Sequence, residues 1–335
     1  MQVFALCEAL YEYSGLAVLR LPYNFLNDMA AQAVARLMQV NPGLQLLDLT
    51  GNEVTDKGAA AITEVLAKPE AGLKALILRH NPIGDTGALA VADMLRSNRS
   101  LTLLDLADCH VAVKGLIGLA NALTAPEGNR SLQVLDLEDA QLAAPQDSTY
   151  QHMSRMLATN TTLTELSLAK CRLVDSQLEL LLELLTTYGF ARSSARWSSL
   201  SLRANRLSPF SGPTLERLLA LPALCRLQRL TLASNSLGND GASALARVLP
   251  TACPDIRELD LRSNGIGDVG LLALAAALPL VNSLELLLLW GNSFSPASSR
   301  AVAEALAAPA LRRLRSDLRP YVVDGEVALA LQEVE

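Results

Sequence analysis

The chain has 335 residues, half of them apolar, enough to fill a sizeable core. Its net charge of −6 and pI near 5.3 argue against a nucleic-acid binder, which needs clustered Lys and Arg on a basic surface. Five cysteines with no C-x-x-C pair supply neither a disulfide framework nor metal-ligand spacing, and reduced thiols are expected.

The first residues, MQVFALCEALYEYSG, lack the basic and apolar regions of a secretion signal, and no apolar run is long enough to cross a bilayer. These features point to a cytoplasmic location. Phe4 to Tyr11 reads as a helix with no strand of its own, and residues 1–15 are assigned to an N-terminal capping helix.

From Leu16 onward the pattern L-x-x-L-x-L-x-x-N recurs, with first positions at Leu16, Leu44, Leu73, Leu101, Leu132, Leu163, Trp197, Leu227, Ile256 and Leu284. An incomplete further unit begins at Leu311. Apolar first, fourth and sixth positions, as in Leu227, Leu230 and Leu232, describe a short strand with one face inward. The ninth position carries Asn24, Asn52, Asn81, Asn205, Asn235, Asn264 and Asn292, whose amides can satisfy backbone groups where the strand turns away. Cys109 and Cys171 occupy the same position and are read as members of the ladder, while Ala140 breaks it.

Four residues further on come Asp28, Asp56, Asp85, Asp175, Asn239 and Asp268, which suit helix N-caps. Runs such as GASALARVL, Gly241 to Leu249, then carry helical spacing. Each unit is therefore strand, turn, helix.

Units of 28 or 29 residues with a full helix resemble the ribonuclease-inhibitor-like leucine-rich repeats. The resemblance implies an α/β solenoid of about ten repeats, a horseshoe with parallel strands on the concave face and helices on the convex face. Residues 16–316 are assigned to it and residues 317–335 to a C-terminal cap, where Asp324-Gly325 between apolar runs reads as a hairpin turn.

Strand alternation sends Leu287 and Leu289 inward and Leu286, Leu288 and Trp290 to the concave face. That apolar set is either offered to a protein partner or covered by the C-terminal hairpin. Asp105, Asp136 and Glu138 make neighbouring units acidic, and Arg203, Arg229 and Arg262 add positive charge to later ones. A surface divided in this way could steer and orient a partner, although any single charge reads equally as solvated surface.

Two longer units carry turn-forming stretches, residues 144–150 and 186–194, which read as loops on one rim. Asn98-Arg99-Ser100, Asn129-Arg130-Ser131 and Asn160-Thr161-Thr162 match the glycosylation acceptor pattern, but they fall at one place in successive units, so repeat geometry explains them. His80, His110 and His152 show no metal spacing, and no phosphate loop or nucleophile elbow is present. No catalytic, cofactor or metal site is assigned.

The sequence thus reads as a non-catalytic scaffold that binds protein through its concave face and rims, without nucleic acid, membrane or metal. Two narrower resemblances remain. The repeat class is similar to that of the activating protein of the small GTPase Ran, although this chain ends in LQEVE rather than a long acidic tail. The YVVDG segment near the C-terminus looks like the end of leucine-rich repeat-containing protein 34 and related ciliary or cytoskeletal proteins, which implies a place in an axoneme or another large assembly.

Overall fold

A computed structural model describes residues 2–13, 15–124, 126–142, 147–189 and 196–334. The repeat appears as a leucine-rich-repeat solenoid, with one three-residue strand and one helix per unit along most of the chain. Two compact units are present, Met1–Cys171 and Arg172–Glu335. Residues 143–146 and 190–195 lie outside the described residues; of the stretches 144–150 and 186–194 expected as rim loops, 147–150 instead open the helix Asp147–Thr159 and 186–187 close the helix Asp175–Thr187.

The first unit begins with helix α1 (Gln2–Ala9). Strands β1 (Val18–Arg20), β2 (Leu46–Asp48), β3 (Ala75–Ile77), β4 (Leu103–Asp105), β5 (Val134–Asp136) and β6 (Glu165–Ser167) follow. Between them run α2 (Asp28–Val40), α3 (Asp56–Leu66), α4 (Gly84–Ser97), α5 (Val113–Leu123) and α6 (Asp147–Thr159). The six strands pair in parallel in chain order, and equivalent repeat positions face each other: Leu19 with Leu47, Leu47 with Leu76, Leu76 with Leu104. Every one of these middle leucines is buried. Consecutive helices pack side by side behind the strands.

The second unit repeats the plan with α7 (Asp175–Thr187), β7 (Ser199–Ser201), α8 (Gly212–Leu219), β8 (Arg229–Thr231) and α9 (Gly238–Ala252). It continues with β9 (Glu258–Asp260), α10 (Asp268–Ala277), β10 (Leu286–Leu288), α11 (Pro296–Leu306) and the two-residue β11 (Arg315–Ser316). Leu200, Leu230, Leu259 and Leu287 stack in register. An antiparallel hairpin, β12 (Leu318–Val323) and β13 (Glu326–Leu331), ends the chain and lies against α11. Its turn is Asp324-Gly325, both with positive φ, the conformation a two-residue hairpin loop needs.

The asparagine ladder works as its chemistry predicts. In the third repeat the Asn81 amide donates to the carbonyls of Leu49 and Leu78, at 2.9 and 2.8 Å, and accepts from the Val54 N–H at 3.0 Å. One side chain thereby closes two consecutive turns. Cys109 fills the same place with one donor, its thiol lying 3.1 Å from the Leu78 carbonyl. A thiol is a weaker acceptor than the amide oxygen, and in the preceding repeat the Ile83 N–H turns to the Asn81 carbonyl instead. Burial pushes the Cys109 and Cys171 thiols up to about 12, which suits structural members and not nucleophiles.

The eighth residue of all ten repeats, immediately before the ladder position, has a left-handed backbone. Only Gly51 and Gly291 are glycines there; Tyr23, His80, Asp108, Asp139, Lys170, Ala204, Ser234 and Ser263 take the same conformation. The bend costs such residues about 1–2 kcal/mol each, offset by a hydrogen bond from the bent N–H to the next repeat, as from Gly51 to the Arg79 carbonyl at 2.9 Å.

A second ladder lies at the helix-to-strand turn. Asn98, Asn129 and Asn160 are buried and donate to carbonyls of the preceding repeat, Asn98 to Leu66, Asn129 to Leu95 and Asn160 to Leu123. Their place in the core accounts for the glycosylation-like motifs.

The acidic helix-start residues differ from expectation. Asp28 is the first residue of α2, whose cap is Asn27, and its carboxylate accepts from Thr55 and Gly58 at the start of the next helix. Asp85 does the same for Ala112 and Gly115, and Asn239 for Gly267 and Gly270. These side chains cap the neighbour's helix rather than their own. Burial raises the Asp28 pKa, but the hydrogen bonds from Thr55 and Gly58 outweigh it and hold the carboxyl below its ordinary value.

Candidate functional site: the outward strand face

Alternation along each strand turns one set of side chains away from the helices, and this face carries all the residues assigned to partner binding. In the first unit it is organised around Arg79. Its Nε lies 3.0 Å from Asp105, one terminal nitrogen 2.6 Å from Asp136 and the other 3.4 Å from Glu138. Lys170 approaches Glu138 from the other side at 2.6 Å. The three acidic residues therefore form an ion network and not an open acidic patch.

Arg79 stands in the seventh repeat position, two units before Glu138 in the same position. Sequence reasoning missed it because a lone arginine in one repeat carries no periodic signal. Burial and the neighbouring Asp105 hold the Asp136 carboxyl above its ordinary range despite the arginine. Burial also pushes Glu138 upward, but Lys170 and Arg79 prevail and leave it low. At the edge of this network the His80 Nδ1 lies 2.6 Å from Asp108, holding that carboxyl below its usual value against a smaller opposing effect of burial.

In the second unit Arg203 and Arg262 take the seventh position and Arg229 the third. Arg262 is paired with Asp260 of its own repeat at 2.8 Å. The Arg229 Nε lies 3.4 Å from the Ser199 hydroxyl. Arg203 is half-buried.

The apolar set lies in the same unit. Leu287 and Leu289 are fully buried, Leu286 and Leu288 half-buried, and Trp290 is 39 % exposed. The C-terminal hairpin thus leaves the indole accessible. Asp317, buried just beyond β11, fixes the backbone beneath it: its two carboxylate oxygens accept the N–H groups of Leu289 and Trp290 at 2.9 and 3.1 Å. In earlier repeats a main-chain carbonyl of the next strand takes the first of these, as Asp260 does for Leu232. The acid substitutes for a strand segment that ends early.

Among the described residues no group of three His, Cys, Asp or Glu side chains could hold a metal, and no helix is long and apolar enough to cross a membrane.

Known proteins share the repeat seen in this sequence. Residues 40–62, 73–92, 97–120, 159–176, 224–246 and 252–275 match the Leucine Rich repeat family model. Ribonuclease inhibitor from Sus scrofa is 28% identical over 255 residues, covering 76% of this chain and 53% of the inhibitor. NACHT, LRR and PYD domains-containing protein 5 from Homo sapiens is 28% identical over 330 residues, covering 98% of this chain and 26% of that protein. The chain spans about half the length of the first and about a quarter of the second. A solved internalin from Listeria monocytogenes aligns over 94% of this chain and 92% of its own, at 16% identity and a TM-score of 0.41.

Fold and repeat pattern together define a leucine-rich-repeat solenoid. The chain carries leucine-rich repeats and is similar in sequence to ribonuclease inhibitor.

Proposed function

We propose that the chain is a non-catalytic scaffold that holds a protein partner on the outward strand face of its second unit, with Leu286, Leu288 and Trp290 as the apolar anchor. One observation carries this reading: an exposed tryptophan lies next to two half-buried leucines, on strands whose positions are fixed on every side. Tryptophan gains more than most residues when its remaining surface is covered, and a rigid strand face loses little entropy on binding. Arg203, Arg229 and Arg262 lie on the same strand face in the three repeats before the anchor, Arg262 paired with Asp260, and extend the contact surface with polar groups. In the first unit Asp105, Asp136 and Glu138 serve binding as a fixed polar surface, their charge largely compensated by Arg79 and Lys170.

A place in an axoneme and stimulation of a small GTPase rest on the sequence resemblances alone. Purification from a ciliated-cell extract at mild salt, and GTP-hydrolysis assays with the purified chain, address them separately.

Trp290→Ala is the direct test of the anchor. The variant should melt within a few degrees of the parent, because the indole is not part of the core, while proteins recovered by the parent chain from extract at mild salt are lost. Recovery unchanged by the substitution would remove the anchor from its proposed role.

A further inference from the structure

The helix side of the second unit changes character at α10. The residues that α9 turns outward include Asp240, Ser243 and Arg247, and those of α11 include Ala297, Arg300 and Glu304. In α10, which packs between these two helices, the equivalent places hold Val269, Leu272 and Ala276, and Leu280 continues the line one turn later. Val269 and Leu280 are each 65 % exposed and Leu272 43 %.

Packing within the chain does not account for this stripe. The inner side of α10 is already supplied by Gly270, Leu271, Leu274 and Ala275, all buried. After Asp268 the helix has no charged residue, and a helix that is apolar all round is normally covered on every side. An exposed run of large apolar residues between charged neighbours marks a contact surface.

The charges beside the stripe say what covers it. Asp240, Arg300 and Glu304 are exposed and make no ion pair among the described residues, whereas Arg247 is held by Glu216 of α8 at 3.0 Å. By repeat position Arg300 and Glu304 stand level with Leu272 and Ala276, and Asp240 and Arg247 level with Val269 and Ala276. Each flank therefore carries an acid and a base at different heights along the helix axis. A face of that kind complements itself once it is turned end for end.

We propose that α10 joins two copies of this chain, packed antiparallel about a twofold axis that crosses the helix at the level of Leu274. Val269 then lies over the second copy's Leu280, and Leu272 over the second copy's Ala276. On the flanks α9 meets α9 and α11 meets α11, so that Arg300 comes opposite the second copy's Glu304 and the reverse. Arg247 stands about 4.5 Å, three residues of helix rise, from the level of the second copy's Asp240, within reach of its long side chain. A closed twofold contact needs this reciprocity, and the opposed helix dipoles favour the antiparallel sense. Because the helices lie behind the strands, the pairing leaves Trp290 and the outward strand face uncovered. Three helix faces spaced about 10 Å apart make a contact near the lower size limit of specific interfaces, so the dimer should form at micromolar rather than nanomolar concentration.

Sedimentation equilibrium of the full chain over a wide concentration range should show a reversible monomer–dimer equilibrium. Leu272→Glu should weaken dimerisation at least tenfold and leave the thermal midpoint near the parent's, since the side chain is outside the core. Should that variant unfold, Val269→Glu, more exposed still, reads the same contact. Arg300→Glu should weaken the dimer by setting two acids opposite each other, and the double reversal Arg300→Glu, Glu304→Arg should restore it. In a parallel pairing α9 would face α11 instead, and the double reversal would set the new arginine against the second copy's Arg247 and restore nothing. A chain that stays monomeric at every concentration would overturn the proposal. So would a dimer indifferent to both Leu272→Glu and Val269→Glu, or one that the double reversal fails to rescue.

Discussion

Replacing Asn81 by alanine is expected to lower stability by about 3–5 kcal/mol, although no apolar side chain is removed. The amide is 1 % exposed and serves three buried main-chain groups, the carbonyls of Leu49 and Leu78 and the N–H of Val54. A buried group left without a partner costs about 1–3 kcal/mol, and alanine can replace none of the three bonds. Asn81→Cys should cost markedly less, because Cys109 already shows a thiol reaching a leucine carbonyl from this position. Denaturant unfolding of the two variants checks both statements. A loss under about 1 kcal/mol for alanine, or equal losses for alanine and cysteine, would mean that the ladder does not hold the turns.

Arg79→Ala should be the most damaging change on the strand face, and its cost should depend on pH. The guanidinium joins Asp105, Asp136 and Glu138, all well shielded from solvent. Without it three carboxylates stay close together with Lys170 as their remaining cation. Breaking a partly buried ion network by removing its central charge costs about 3 kcal/mol near neutral pH.

The signs differ between the acids. Glu138 has a folded-state pKa below its ordinary value, so it stabilises the fold above that value and loses the contribution as pH falls through the lowered one. Asp136 has a raised pKa, so its contribution favours the fold at low pH and is lost as pH rises through the folded value. Removing Arg79 raises both pKa values, and protonation then relieves the repulsion. Melting of Arg79→Ala should therefore be far below the parent at pH 7 and much closer to it at pH 4.5; the same deficit at both would contradict the network.

Much of the fold was legible because the repeat states the same physical problem ten times. Leucines at fixed spacing located the strands, and asparagine at the ninth position located the turns. Features that recur by conformation and not by residue type were not legible. The left-handed eighth residue is Tyr23 in one repeat, His80 in another and Ala204 in a third, so composition gives no sign of it. Asp28 and Asp85 looked like caps of their own helices because a single sequence cannot distinguish a local bond from one to the neighbouring repeat.

The site residues divide on similar lines. The outward direction of Leu286, Leu288 and Trp290 follows from strand alternation alone. The partners of the charged residues do not, since Arg79 meets Asp136 and Glu138 across 57 and 59 positions of sequence. Asp317 was equally hidden, because its carboxylate replaces a main-chain carbonyl at the point where the repeat stops.

The stacking register itself is tested most directly by cross-linking adjacent strands. Ser201 and Thr231 face each other in the β7–β8 pair, and Asp260 lies one strand further on. Neighbouring strands are about 4.8 Å apart, within disulfide reach, whereas two strand spacings exceed the limit of about 7 Å between Cα atoms. Under mild oxidation the double variant Ser201→Cys, Thr231→Cys should form the disulfide between those two positions, identified by mass spectrometry of the digested protein, while Ser201→Cys, Asp260→Cys should not. A bond in the second variant and none in the first would contradict the ladder on which the account rests.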